Sequence, residues 1–264
     1  MLLVQILLLT VDGHHPNNPM NVIIYAAGIS RRLRNFAPNG LKGLINLGDK
    51  KIIEYQLRWI SKLKLENIVI VIGLEHQDYI DYIGYEYNNI PVKYIFNKDY
   101  ETKGNMLSLW CAREYCSSDT IFTTSDLLCN IKDVNKFLNS SAEDKILIDN
   151  NTRDLFLDDD PVKISIHSNK IIALRKQIKE LSSIDGISVG IYKFGKIFMN
   201  LLLNDIDTKI KAGDDNKSLY YAIDNVLKIR NADPVYMDNN LWVDIDTPSE
   251  LKKAQKNVHL YENK

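Results

Sequence analysis

A chain of 264 residues with 45% hydrophobic side chains is long enough to bury one large core or two small ones. Its 33 Lys and Arg against 34 Asp and Glu give a formal net charge of -1, which excludes bulk attraction to nucleic acid or an acidic membrane and leaves any basic function to local clusters. Three cysteines, Cys111, Cys116 and Cys129, show no C-x-x-C spacing and leave an odd thiol, so a reducing, cytoplasmic setting is expected rather than a disulfide scaffold.

The chain opens on MLLVQILLLT, an apolar run of about ten residues, short of the ~20 that a membrane span needs and without the basic start of a signal peptide. The polar VDGHHPNNP follows, and then Met20 directly before a strand-like run. Residues 1–19 are read as a leader outside the fold and 20–264 as one domain, with an extra edge strand or an anchor as the rival reading. His14 and His15 have no further ligands at metal-site spacing.

From Met20 the periodicity alternates. NVIIYAAG is a buried-strand run; KKIIEYQLRWISKLKLE predicts a helix with Ile53, Leu57, Ile60 and Leu63 or its neighbours on one face; NIVIVIG is a strand closed by Gly73. HQDYIDYIGYEY predicts a helix, VKYIFN a strand, NMLSLWCAREYC a helix, and TIFTTSD a strand that ends in an acid. Such βαβ order predicts an α/β fold, a mainly parallel sheet flanked by helices, with ligands at the carboxyl ends of its strands. After KILIDN the rhythm changes to VKISIHS, KIIALRK and ISVGIYKF, an antiparallel β insertion around 150–194, before helices return at GKIFMNLLLNDI and KSLYYAIDNVLKI. Asp158-Asp159-Asp160 reads as a solvated loop.

A strand that stops at Ala26-Ala27-Gly28 can turn the following N–H groups inward as an anion nest, to which Arg31, Arg32 and Lys42 add full charges. That combination suits a triphosphate. It is not a Walker A loop, because G-K-[ST] is missing, nor a dinucleotide fingerprint, because G-x-G-x-x-G is missing. An ordinary βα turn with surface arginines is the plainer alternative.

YAAGISRRL followed by LKGLINLGDKKIIEYQL resembles the signature of the nucleotidyltransferases that make nucleotide-diphospho sugars and CDP-alcohols, an NDP-sugar pyrophosphorylase-like family with a Rossmann-like sheet. The resemblance covers nearly all of the chain from Met20, and in length and in IIEYQL it is most similar to the small cytidylyltransferases of the phosphocholine, phosphonate and phosphoglutamine type. It implies a Mg²⁺-dependent enzyme that couples CTP to a small phosphorylated acceptor and releases pyrophosphate, in bacterial surface polysaccharide or capsule modification. The implied partners are CTP and the acceptor, with neither nucleic acid nor membrane; a homodimer is left open. A sugar-1-phosphate nucleotidyltransferase and a non-catalytic nucleotide sensor are the alternatives.

Carried over by position, the resemblance gives Arg32 the β and γ phosphates and Lys42 the charge building on the α phosphate. Ala26, Ala27, Gly28 and Ser30 become the nucleotide loop, with Asn105 a further nucleotide contact. Ser108 and Lys176 become acceptor residues, and Asp126 and Asp246 the metal acids, with Asp244 as an alternative ligand. Two positions depart from the family pattern: Ser30 replaces a glycine while still offering its N–H, and Leu41 replaces a proline and leaves the approach of Lys42 less fixed. Structural readings stand beside each role. Asp126 can be a turn residue, Asp246 adjoins the capping box Thr247-Pro248-Ser249-Glu250, and Asn105 can be an N-cap. Arg175 and Lys179 rival Lys176. A cationic acceptor would want an aromatic cage, for which Trp110, Tyr192, Trp242 and the acids at 158–160 are candidates, with Arg153 for an acceptor carboxylate.

Overall fold

The computed structural model describes residues 20–73, 76–116, 119–151, 161–177 and 184–261; the leader reading of residues 1–19 lies outside them. β1 (Met20–Ala26) is apolar and buried from Val22 onward, as a strand covered on both faces must be. A small hairpin of β2 (Asn46–Leu47) and β3 (Lys50–Lys51) leads into α1 (Ile52–Ile60), whose Ile53, Leu57 and Ile60 face the sheet. Leu63, expected on the same stripe, lies past the helix end. β4 (Leu65–Ile72) and α2 (His76–Ile83) follow. The helix stops before the expected Tyr87 because Gly84 adopts a left-handed φ of 79°, and the chain turns into β5 (Glu86–Tyr87) and β6 (Ile90–Phe96), an antiparallel pair.

The remaining elements are α3 (Asn105–Cys111), β7 (Thr120–Thr124), β8 (Leu127–Cys129), α4 (Ile131–Asn139) and β9 (Lys145–Asp149). Beyond them come β10 (Lys163–His167), β11 (Lys170–Arg175), β12 (Gly186–Phe194), α5 (Lys196–Lys211) and α6 (Leu219–Leu227). β13 (Asp233–Tyr236), β14 (Trp242–Asp244), α7 (Pro248–Lys256) and α8 (Val258–Tyr261) complete the described chain. Among the described residues no helix is long and apolar enough to cross a membrane, and Cys111, Cys116 and Cys129 are free.

The described strands make a ten-stranded sheet in the order β11-β10-β12-β7-β1-β4-β6-β5, with β9 paired to β12 and β13. β7, β1, β4 and β6 run parallel, while β10, β11 and β12 add antiparallel strands at one side, so the class is the expected mixed, mainly parallel α/β sheet. β12 reaches β10, β9 and β7 in turn through a register shift between Ser188 and Tyr192, where Gly190 holds a φ of 92° that other residues resist.

Period-two alternation sorts the strand residues onto two cores. Ile23, Tyr25 and Phe122 pack with Met106, Phe198 and Ala222 of α3, α5 and α6; Val22, Ile24 and Ile121 pack with Leu57 and Phe137 of α1 and α4. A third cluster joins Leu33, Ile45 and Ile52 to Leu128, Ile245 and Leu251, locking the segment after β1 to the approach of α7. The chain runs from β1 outward to β4 and β6, then returns to the other side of β1 as β7. That reversal opens a crevice at the carboxyl ends of β1 and β7, where α/β sheets bind ligands. Ser125 N–H donates to the Tyr25 carbonyl at 2.9 Å across it.

Candidate active site

β1 delivers Ala26 and Ala27 buried and Gly28 exposed. A Cβ built on Gly28 would meet nothing within 4 Å, so the turn opens onto free space rather than onto packed protein. Ser30 differs from its expectation: its N–H is taken by the Gly40 carbonyl at 3.1 Å, closing the 30–40 loop, while its buried hydroxyl has no partner among the described residues. Arg31, Arg32 and Arg34 are all exposed because fully buried Leu33 pins the turn between them; burying a leucine contributes about 1.5–3 kcal/mol. Arg31 faces solvent. Arg32 extends to Asp246, with Nη2 3.2 Å from Oδ2.

Lys42 sits on the 3-10 turn Lys42–Leu44. Leu41 does the opposite of loosening it, being 4% exposed and packed into the core beneath α1, so apolar contact replaces the rigidity a proline would give. Gly43 is required by close approach: a Cβ there would lie 2.8 Å from the Tyr79 hydroxyl and 3.1 Å from the Ser125 Cβ. The Lys42 turn and the Asp126 turn therefore touch through backbone. Lys42 Nζ donates to Asp126 Oδ2 at 2.8 Å and also to Asp246 Oδ1.

Asp126 lies between β7 and β8, its carbonyl accepting from Ile245 N–H at 3.1 Å. Ile245 is fully buried, which turns the flanking Asp244 and Asp246 to the other side. The capping box is formed: Glu250 Oε2 accepts from the N–H groups of Asp246 and Thr247, and Thr247 Oγ1 accepts from Glu250 N–H. Capping engages only the Asp246 backbone, and its carboxylate goes to Lys42 and Arg32. Arg32, Lys42, Asp126 and Asp246, from three distant segments, thus share one ion-pair cluster at the crevice.

Burial by itself would raise the Asp126 pKa, but the Lys42 ammonium outweighs it, with hydrogen bonds from Lys42 and Thr124 adding to the lowering. Lys42 is correspondingly raised, the Asp126 charge overcoming the effect of burial. Asp244 is exposed to water, yet crowding by protein and the adjacent Asp126 charge push its pKa well above the usual carboxylate range. Sequence reasoning gave Asp244 only the role of an alternative ligand; that it stands against Asp126 follows from the pairing of β14 with β8, where Asp244 faces Leu127.

Other expected residues lie apart from this cluster. Asn105 caps a helix, though not its own: its Oδ1 accepts from Leu219 N–H at 2.8 Å at the start of α6, and Gly104 is the N-cap of α3. Ser108 is buried, and its hydroxyl accepts from Asn97 Nδ2 at 3.1 Å, so it presents no open hydroxyl to an acceptor. Arg175 is committed to Asp224, with Nε 2.9 Å from Oδ2. Lys176 follows β11 half-buried, its carbonyl accepting from Lys163 Nζ at 2.5 Å; Lys179 lies outside the described residues. Tyr192 has its phenol pushed up to about 12 by burial, opposed by a Ser188 hydrogen bond and aided by the Asp244 charge. Trp242 Nε1 donates to Asp149 at 2.8 Å, and Trp110 stacks under Arg113 at 4.9 Å. Arg153 and the acids at 158–160 lie outside the described residues.

Known proteins are similar to this chain in sequence and fold. The family model of the MobA-like NTP transferase domain covers residues 22–154, about half of the chain. CTP:phosphoglutamine cytidylyltransferase of Campylobacter jejuni is 24% identical over 253 residues, 88% of this chain and 98% of that protein. Choline-phosphate cytidylyltransferase of Streptococcus pneumoniae is 29% identical over 109 residues, 41% of this chain and 46% of that protein. Among solved structures, the inositol-1-phosphate CTP transferase of T. maritima superposes with a TM-score of 0.72 at 18% identity, covering 91% of this chain and 95% of that one. The CTP:phosphocholine cytidylyltransferase of Streptococcus pneumoniae gives 0.73 at 18% identity over 91% of this chain and all of that one; identities this low carry the fold alone. With the family model spanning 22–154 and the strand-end crevice built as described, this chain belongs to the MobA-like NTP transferase family and is a nucleotidyltransferase.

Proposed function

We propose that the chain is a cytidylyltransferase that couples CTP to a small phosphorylated acceptor, of phosphocholine or phospho-amino acid type such as phosphoglutamine, giving a CDP-linked product and pyrophosphate. The observation that carries the reading is the joint ion-pair cluster of Arg32, Lys42, Asp126 and Asp246 beside the open Gly28 turn. The cytidine choice rests on the relatives, two of which carry CTP or choline-phosphate cytidylyl transfer in their names.

In this reading an oxygen of the acceptor phosphate attacks the α phosphorus of CTP, the bond to the β-phosphate bridging oxygen breaks, and pyrophosphate leaves. The acceptor phosphate is already anionic near neutral pH, so no histidine base is needed. Nucleotidyl transfer depends on positioning and charge neutralisation. Lys42 neutralises charge on the α phosphate, Arg32 orients the departing phosphates, and the Gly28 turn leaves room for the triphosphate. Tyr192 would offer an aromatic face to a cationic acceptor head.

Asp126 and Asp246 would hold Mg²⁺. They fit it: both carboxylates reach a single ammonium, and hard oxygen donors are what Mg²⁺ takes. Among the described residues no cluster of three or more His, Cys, Asp or Glu side chains could hold a metal, so triphosphate oxygens and water would complete the coordination. Bound there, the ion would offset phosphate charge in the transition state.

The test is incubation with CTP or UTP and each of phosphocholine, phosphoglutamine and a hexose 1-phosphate, with pyrophosphate release measured. Release with CTP and a cationic acceptor supports the reading. Release only with the sugar phosphate would replace it, and CTP binding by calorimetry without release for any acceptor would make the protein a sensor.

A further inference from the structure

Gln56 is a polar residue on the buried side of α1, 3% exposed among Ile52, Ile53, Leu57 and Ile60. A primary amide in such a place needs partners for its polar atoms; the Gln56 Oε1 has none among the described residues, and the amide nitrogen is the part that is used. Its Nε2 donates to two carbonyls, that of Thr124 and that of Leu127, the latter at 3.1 Å. Thr124 is the last residue of β7 and Leu127 the first of β8, so one amide clasps both ends of the two-residue turn that carries Ser125 and Asp126. The backbone of that turn is also tied by Ser125 N–H to the Tyr25 carbonyl and by the Asp126 carbonyl to Ile245 N–H. Those reach β1 and the Asp246 segment. Gln56 adds the third direction, toward α1.

α1 is also fixed to the Lys42 turn. Ile52 N–H donates to the Ile45 carbonyl at 3.1 Å just after the Lys42–Leu44 turn, and Gly43 lies against Ser125. A helix one turn long separates Ile52 from Gln56, so the same rigid element holds the lysine turn at its start and the acid turn one turn later. We propose that Gln56 is a positioning residue that sets the Asp126 carboxylate against Lys42, acting through the Ser125–Asp126 turn and touching neither nucleotide nor acceptor. The part of this that concerns turnover rests on the nucleotidyltransfer reading above; the placement of Asp126 does not.

The glutamine is needed for its two N–H donors at this reach. Gln56→Met keeps the length and fills the apolar surroundings but offers no donor. Gln56→Asn keeps the amide and withdraws it by one methylene. Removing a group that orients a metal-binding side chain typically lowers metal affinity or activity ~10–100-fold. In Gln56→Met the metal concentration giving half-maximal turnover is expected to rise ~10-fold and kcat to fall by ~10-fold or more, while KM for CTP at saturating metal stays within about threefold of wild type. In an Asp126→Asn background the same substitution should add no further loss, since the group it positions is already gone.

A second measurement needs no nucleotide. Asp126→Asn shifts the thermal midpoint by removing the carboxylate from Lys42, and in Gln56→Met that shift should shrink by at least half. Equal shifts in both backgrounds, or an unchanged metal requirement in a folded Gln56→Met, would overturn the proposal and leave Gln56 as a helix-packing residue. Should Gln56→Met not fold, Gln56→Asn is read by the same two criteria. A wild-type protein inert toward CTP and every acceptor would sink the cytidylyltransferase reading while the thermal comparison still decides this one.

Discussion

Replacing Lys42 tests the site most directly. Its ammonium lies 2.8 Å from Asp126 Oδ2 and the two side chains are 16% and 14% exposed, so at an effective dielectric of about 20 the gross attraction is about 6 kcal/mol. Catalysis would not receive all of this, because in the proposed reaction Lys42 would exchange carboxylate partners for phosphate oxygens and keep only the difference. Removal of a single preorganised charge stabiliser lowers kcat by about 10²–10³, equivalent to about 2.7–4 kcal/mol, and Lys42→Met is expected to fall in that range. Methionine retains the packing of the lysine stem, so a folded variant isolates the charge. Lys42→Arg keeps the charge but spreads it over a planar fork and should recover only part of the rate. The assay is pyrophosphate release at saturating CTP, acceptor and metal, with circular dichroism and a thermal midpoint to establish folding. A folded Lys42→Met with kcat within about threefold of wild type would refute the assignment of Lys42 to the reacting phosphate.

Asp126→Asn and Asp246→Asn each remove, at constant size, a carboxylate proposed to hold Mg²⁺, and on that reading each should cost about 10² or more in metal-dependent turnover while leaving the secondary structure intact, as read by metal titration and circular dichroism. Asp126 and Asp244 carry opposite pH signatures. The Asp126 contribution to stability is present above the ordinary carboxylate value of 3.8 and is lost as pH falls through its lowered folded value. Asp244, raised above 3.8, subtracts stability as pH climbs through its folded value; Asp244→Asn should therefore raise the urea midpoint at pH 7 and lose that gain below about pH 4, and a midpoint gain that is the same at both pH values would contradict the sign. Gly43→Ala pushes a Cβ to 2.8 Å from the Tyr79 hydroxyl and 3.2 Å from the Ser125 carbonyl, so a loss of about 1–3 kcal/mol in chemical denaturation is expected. Gly28→Ala meets nothing within 4 Å and should fold normally yet weaken CTP binding, measured by calorimetry.

The alternation of strand and helix, and with it the parallel sheet, was legible in the sequence because a strand buried on both faces, such as Val22 to Ala26, must be apolar throughout. Arg32 and Lys42 were singled out by the motif around Gly28, Asp126 and Asp246 only by the family resemblance of two other segments, and the capping box at Thr247 by local hydrogen-bond chemistry that needs only four residues of sequence. Other features depended on contacts between distant segments. Asn105 carries the signature of a local cap, but its oxygen serves the start of α6, 114 positions away. Ser30 kept its N–H on paper, and the Gly40 carbonyl took it when the loop closed. Leu41 read as a lost proline until packing beneath α1 gave it a different way to hold Lys42. Gln56 stood inside the IIEYQL run that carries the resemblance, yet nothing in the run says what its amide does until the Thr124 and Leu127 carbonyls are brought to it. Periodicity and local chemistry act over a few residues and survive in any fold that satisfies them; the partners of a buried donor are fixed only when the β7–β8 turn, α1 and the Asp246 segment close on one another in space.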